Sequence, residues 1–327
     1  MKLSIGIDVS KENLDVAFFN GNDYESTAYS NDKNGCKKLL NKIKTYDGME
    51  IIVTMEATGT YHLNAATNVH SAGYDVSVVN PLVIRRYSEM KMLRAKTDPV
   101  DARTISEYGY EQKPYYFKPK TANCQKIVYY LKLIEDFLHM KSQNKNRIEA
   151  YSVCPDAPKE TMKRLLDMND YITSQIKETE KELKALVKDE SANQYKRLMG
   201  IPGIGDRSST AIIGYFNNFE DFENAKQVVS FIGMNPSPCE SGTSVKGKGT
   251  ISRQGNVYLR KLFYMASLSA SKHNESCKLL YDRLLENGKD KKLALVAVAN
   301  KLIRQVFAIV KYEREYISSY HMENVLT

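Results

Sequence analysis

At 327 residues, 42% hydrophobic and 26% charged, the chain has the composition of a folded globular protein of two or three domains, which excludes wholesale disorder. Its 47 Lys and Arg outnumber 39 Asp and Glu, and +7 of the net charge of +8 falls in residues 196–327, which predicts a polyanion-binding surface there or an excess spread over solvated helices. The most apolar segment, 293–310, is broken by Asn300, Lys301, Arg304 and Gln305, short of the ~20 apolar residues of a membrane span, so no membrane partner is expected.

Leu3, Ile5 and Ile7 alternate with small or polar residues, as in a strand, and the run ends at Asp8. A hairpin should follow, from Val16 to Phe19, through the turn-forming Asn20-Gly21-Asn22-Asp23, to 24–29. A helix is expected over 33–46, a buried strand over 51–55 ending at Glu56, a helix over 61–71, a strand over 74–79, and a helix opened by Pro81. Three strands followed by strand–helix alternation is the order of an RNase H-like α/β fold, expected over 1–118.

Over 119–190 the period changes. Ile127, Leu131, Ile134 and Leu138 step by four, three and four, and Leu165, Ile172, Ile176, Thr179, Leu183 and Leu186 keep a similar register. Two long helices joined at Cys154-Pro155-Asp156-Ala157-Pro158 are expected, either as an intramolecular hairpin or as a coiled-coil oligomerisation stalk. Residues 191–327 form the third, mostly helical part. It opens with Gly200-Ile201-Pro202-Gly203-Ile204-Gly205 before a helix, which reads as a helix-hairpin-helix element or as a plain turn. In the first reading Gly203 and Gly205 allow a phosphate to approach the backbone, and the next helix N-terminus supplies N–H donors.

Four carboxylates stand out in the first part. Asp8 and Glu56 close two strands expected to be neighbours, and Asp98 and Asp101 sit three apart at a helix start, on one face. Such a set suits Mg²⁺, with Mn²⁺ as its substitute, because hard divalent cations take oxygen ligands. Two such ions would stabilise both the attacking and the leaving oxygen of a phosphoryl transfer. Asp98-Pro99-Val100-Asp101 is equally a good helix start, with an Asp cap, Pro in the first turn and an acid at the third position. In the last part, 237–255 is rich in Gly, Ser and Lys, and Glu240 to Lys261 carries five cations (Lys246, Lys248, Arg253, Arg260 and Lys261) and one acid. These cations and the glycine turn are the expected nucleic-acid contacts. A serine there, followed by Gly242, suits attack on a phosphodiester, with cations stabilising the developing charge. Ser237, Ser241, Ser244 and Cys239 compete for that role, and a solvated DNA-touching loop is the plainer reading. Five scattered cysteines without Cys-x-x-Cys spacing argue against a disulfide framework and a zinc cluster and fit a reducing compartment; no signal peptide is expected.

Gly6-Ile7-Asp8-Val9-Ser10-Lys11, Met55-Glu56-Ala57-Thr58-Gly59 and 94–102 together resemble the DEDD, RuvC-like half of the insertion sequence one-ten family of transposases. The Gly-rich hairpin, 231–236, Glu240-Ser241-Gly242 and 248–256 resemble that family's C-terminal transposase domain, so the resemblance spans nearly the whole chain in order. It implies a Mg²⁺-dependent DNA recombinase of the prokaryotic cytoplasm and nucleoid, guided by a structured bridge RNA that pairs with donor and target DNA. Carried over by position, Asp8, Glu56, Asp98 and Asp101 are the metal-binding tetrad and Ser241 the nucleophile of a phosphoserine intermediate. The family pattern sets the tetrad of one subunit against the serine domain of another, in a homo-oligomer from dimer to tetramer. Cys239-Glu240 departs from expectation by placing an acid beside the serine. The rival readings are a RuvC-type metal-dependent nuclease in which Ser241 is incidental, an actin-like sugar kinase, and a non-catalytic nucleic-acid-binding protein. Ser10-Lys11-Glu12 does not supply the glycine and threonine the kinase phosphate loop needs.

Overall fold

The computed structural model describes residues 2–92, 98–112, 114–237, 240–241, 245–246, 250–252 and 254–318; at 98–99, 190, 237, 240–241, 245–246 and 250 it describes the backbone alone. The chain divides into two compact units, Met1–Pro119 and Lys120–Thr327.

In the first unit β1 (Lys2–Val9), β2 (Asn13–Phe19) and β3 (Tyr24–Ser30) form an antiparallel meander. Ser10 turns the chain by bonding Asn13 in both directions, and the Asn20 side chain accepts the N–H groups of Asn22 and Asp23 at 2.9 and 2.8 Å. β4 (Glu50–Glu56) and β5 (Asp75–Val79) then add in parallel, giving the order β3-β2-β1-β4-β5. Three antiparallel strands with two parallel ones reached through helices is the RNase H-like arrangement. The helices are α1 (Lys33–Lys44), α2 (His62–Ser71), α3 (Pro81–Met90) and α4 (Asp98–Glu111).

Both faces of β1 are covered, which its alternating pattern alone does not reveal. Leu3, Ile5 and Ile7 enter a core shared with Leu39 and Ile43 of α1 and Ala65, Ala66 and Val69 of α2. The other face, Ser4 and Gly6, lies under α4. A Cβ on Gly6 would stand 2.2 Å from the carbonyl oxygen of Ala102 and 2.3 Å from the nitrogen of Ser106. Gly109 sits equally close above Ser4 and Thr54. Small residues on this face therefore let a helix backbone rest on the strands.

The far end of α4 is held by polar contacts to its neighbours. Lys91 bonds Glu111 at 2.6 Å and Glu107 at 3.4 Å, Tyr87 donates to Glu111 at 2.8 Å, and Tyr24 donates to Glu107. The Lys91 ammonium, then the Tyr87 hydroxyl, hold the Glu111 carboxyl below its ordinary range. Burial and that same contact push the Tyr87 phenol up to about 12. A lowered acid stabilises the fold above its unfolded value and loses that contribution as pH falls through its folded one. A raised phenol stabilises below its unfolded value and loses the contribution as pH climbs through its folded one. Thermal unfolding of Glu111→Gln should thus fall below the parent's from pH 5 to 10 and approach it as the pH drops below the ordinary carboxylate range. The gap should be under ~1 kcal/mol because the pair is partly solvated; a constant gap at every pH would contradict the assignment.

The second unit opens with the expected pair of long helices, α5 (Ala122–Ser152) and α6 (Lys159–Glu190), packed as a hairpin. Ile127, Leu131 and Ile134 are buried, as are Ile172, Ile176, Leu183 and Val187, but Leu138, expected in the same seam, is exposed. Further along, buried Asn144 takes its place and donates to the Leu165 carbonyl at 2.7 Å. The base of the hairpin shares one core with α7 (Ala192–Met199), α8 (Asp206–Phe216), α9 (Ala225–Ile232), α10 (Val257–His273), α11 (Glu275–Glu286) and α12 (Lys291–Lys311). Phe216 stacks on Phe219 within it, and Phe222 and Phe307 meet this pair edge to face. The helix α12 is long and apolar enough to cross a membrane by composition, yet ten of its residues, Leu302, Ile303 and Val306 among them, are buried in the protein. Asn224, Asn256 and Asn274 cap α9, α10 and α11 with their side chains.

Candidate functional site

The carboxylates of the first unit gather where the parallel strands end. The β1–β4 register runs from Lys2 opposite Glu50 to Ile7 opposite Met55, so Asp8 and Glu56 are the next residues along their strands. Asp8 also pairs with Asp15 on β2, and Glu56 with Val79 on β5. On α4, Gly109 lies over Ser4, and Ala102 and Ser106 over Gly6. The helix thus runs antiparallel to β1, and its first turn, with Asp98 and Asp101, lies toward Asp8. Asp8, Glu56 and Asp101 are all half-buried.

The structure therefore brings four carboxylate-bearing positions to one end of one sheet, three of them with described side chains. Among the described residues no three His, Cys, Asp or Glu side chains are grouped tightly enough to hold an ion. The Asp98 side chain, the fourth of the set, lies outside the described residues. An all-oxygen donor set at strand ends fits the chemistry of a hard divalent cation, which keeps several waters and binds through few carboxylates.

In the second unit the Gly/Ser/Lys-rich segment rises from a firm base. β6 (Pro236–Ser237) pairs with β9 (Thr250–Ile251), Ser252 N donates to Asn235 O at 2.9 Å, and Asn256 N donates to Phe231 O at 3.0 Å. Arg260 reaches back and donates to the Ile232 carbonyl at 2.9 Å. One of the cations expected to contact nucleic acid is thus already engaged in holding this base. On it stands a two-residue hairpin of β7 (Glu240–Ser241) and β8 (Val245–Lys246), with Ser241 opposite Val245 and Glu240 opposite Lys246. The acid that looked misplaced in the sequence has a lysine across the ladder. Ser241 is the last paired residue of β7. Cys239, Ser244, Lys248 and Arg253 lie outside the described residues, as do the side chains of Ser237, Ser241 and Lys246. Lys261 is exposed on α10.

The glycine turn joins α7 to α8. Gly203 has φ +103°, and a Cβ there would meet the Ala270 Cβ of α10 at 2.6 Å, so both conformation and packing call for glycine. Gly205 precedes α8 at its cap position and is exposed. Asp206, in the first turn of α8, accepts from Tyr195 at 2.7 Å and faces Lys184 at 3.4 Å. Burial and this hydrogen bond push the Tyr195 phenol up to about 12. Behind the turn, buried Asn274 donates to the Pro202 carbonyl at 3.3 Å and to Gln305 at 2.9 Å. The sequence reading missed this brace; an Asn just before a helix signals only a cap.

Residues 5–151 match a transposase family profile of the DEDD type, and residues 195–282 match the profile described as the transposase IS116/IS110/IS902 family. The chain is 27% identical over 326 residues, 98% of its length and 99% of the relative's, to the pilin gene-inverting protein of Moraxella bovis. It is 31% identical over 145 residues, 43% of this chain and 39% of the other, to the transposase for insertion sequence element IS1111A of Coxiella burnetii. Among solved structures it is similar to T. thermophilus RuvC in complex with a Holliday junction substrate, at 11% identity and a TM-score of 0.29, covering 36% of this chain and 100% of that one.

Proposed function

Because the chain belongs to the IS116/IS110/IS902 family of transposases and is a DNA transposase, we propose that it cuts and rejoins DNA through a covalent phosphoserine at Ser241, with a structured RNA choosing donor and target. The observation that carries this reading is the division of labour between units. The first gathers carboxylates at a sheet end, and the second presents one serine at the last rung of a hairpin on a braced base.

In this reading Asp8, Glu56, Asp98 and Asp101 hold Mg²⁺, which supplies charge neutralisation at the phosphate and is replaceable by Mn²⁺. The Ser241 oxygen attacks the phosphorus of a phosphodiester, forming a Ser–O–P bond as the P–O bond to one deoxyribose breaks. Its proton passes, by way of a carboxylate of a second copy, to the freed deoxyribose oxygen, which leaves as a hydroxyl. A hydroxyl from the exchanged strand then attacks the phosphoserine and restores Ser241, so no external energy source enters. Lys246, Lys248, Arg253 and Lys261 neutralise backbone phosphates, Arg260 holds the loop base, and Gly203 and Gly205 open the turn to the backbone; such contacts position DNA without reading its sequence. Long α5 and α6 give the assembly, from dimer to tetramer, a surface on which to form. The reaction takes place in the cytoplasm on nucleoid DNA.

A second reading, water-driven cleavage by the carboxylate unit alone, is favoured by its self-contained RNase H-like topology. One preparation separates them. The protein, expressed with the DNA flanking its gene, is purified, its bound RNA is sequenced, and end-labelled DNA is added before denaturation in SDS. The expected result is an enriched RNA from the flanks and a label that stays on the protein. Cleavage with no protein-linked label leaves only the hydrolytic reading, and absence of an enriched RNA removes the guide.

A further inference from the structure

The ladder between β1 and β4 stops one residue short of the carboxylates. Ile7 pairs with Met55, and from there the two chains go on as Asp8-Val9-Ser10 and as Glu56 to Tyr61. Each carboxylate is tied to its outer neighbour, Asp8 to β2 and Glu56 to β5, but the recorded β1–β4 register has no rung between them.

Asn31 spans that gap. Its side-chain amide donates to the Ser10 carbonyl at 3.0 Å and to the Tyr61 carbonyl at 3.3 Å. Ser10 lies two residues beyond Asp8, and Tyr61 five beyond Glu56. The backbone N–H of Asn31 donates to the Glu12 carbonyl at 2.8 Å, and its Oδ1 accepts from Asn64 on α2 at 3.3 Å. The orientation of the amide follows from its partners: two carbonyl oxygens demand the NH₂ end. Asn64 also reaches the buried Cys36 thiol at 3.5 Å, which joins the bracket to α1.

We propose that Asn31 is a positioning residue for the carboxylate site: its amide replaces the missing rung and fixes the Asp8 loop against the Glu56 loop. This rests on the carboxylate site proposed above. Groups that orient ligands from outside the first layer typically change metal affinity by 10- to 100-fold when removed. Asn31→Ala removes both donors, and Asn31→Asp keeps the shape but turns an acceptor toward two carbonyls.

The test is Mn²⁺ binding to the full-length protein, read from the loss of the free-ion paramagnetic resonance signal, beside strand cleavage at rising Mg²⁺. Asn31→Ala and Asn31→Asp are expected to weaken Mn²⁺ about tenfold or more and to raise the Mg²⁺ needed for half-maximal cleavage by a similar factor. Asn31→Gln, which keeps the amide on a longer stem, should lie between them and the parent, and provides a folded variant if the others unfold. Ile43→Val, in the core at the end of α1 away from Cys36, is the control for a merely structural effect: it should lower the melting temperature and leave Mn²⁺ affinity unchanged. Parental Mn²⁺ affinity in a folded Asn31 variant overturns the proposal. Asp8→Asn keeps the two failures apart: if it too binds like the parent, the carboxylate site itself is wrong, whereas lost binding in Asp8→Asn with parental binding in the Asn31 variants rejects Asn31 alone.

Discussion

Replacing Ser241 with alanine is expected to lower recombination by at least about 1,000-fold and to abolish the protein-linked DNA species, while DNA binding and the melting temperature stay near the parent's. Removing an attacking nucleophile costs at least three orders of magnitude in comparable covalent catalysts. The fold should not notice, because Ser241 sits at the last rung of a two-residue ladder, away from the contacts at 231–237 and 250–256 that hold the loop base. Ser237, Cys239 and Ser244 flank Ser241 and suit attack on phosphorus by type, so the comparison across them matters. Ser237→Ala, Ser244→Ala and Cys239→Ala should each keep the adduct. An adduct that survives Ser241→Ala and disappears in one of these would move the nucleophile. Full cleavage by Ser241→Ala without an adduct in any variant would hand the reaction to the carboxylate unit.

The second large effect is expected under α4, two residues from Asp8 along β1. Gly6→Ala places a methyl 2.2 Å from the Ala102 carbonyl oxygen and 2.3 Å from the Ser106 nitrogen. Both are helix backbone, so no side chain can swing away, and α4 must lift off β1. Overpacking of this kind costs up to about 3 kcal/mol, a large share of the 5–15 kcal/mol that typically holds a domain together. The melting transition of the first unit should fall by ~10 °C. Activity should fall further than stability does, because the helix that lifts carries Asp98 and Asp101 on its first turn. Gly48→Ala is the natural control, since nothing lies within 4 Å of its Cβ, although its own φ of +102° adds local strain. Unchanged melting in Gly6→Ala would mean that α4 does not rest on the strand.

These cases mark how far the chain could be read before its fold was known. The strands ending at Asp8 and Glu56 were legible because a period of two in the first and a short apolar run in the second, each closed by an acid, are local patterns. The helices flanking 153–158 were legible because proline and a seam of period 3.5 are local too. Leu138 shows the limit: it keeps the spacing of Ile127, Leu131 and Ile134 yet faces solvent, because what a seam residue meets depends on where the partner helix stands. Arg260 is similar. Its position among five cations suggests a phosphate contact, but that one of its N–H donors holds the Ile232 carbonyl is something no spacing records.

The sequence by itself determined the element order of the first part, its RNase H-like character, the long helix pair and the candidate carboxylates, since each rests on residue types at short spacings; the family and Ser241 came from a resemblance of motifs. Tertiary structure alone decided that Gly6 is the seat of a helix starting ninety-two residues later, that Glu240 stands across from Lys246, and that the amide of Asn31 bridges the loops after Asp8 and Glu56. These are relations set by packing and by strand register, which bring together residues whose nearness no spacing along the chain records.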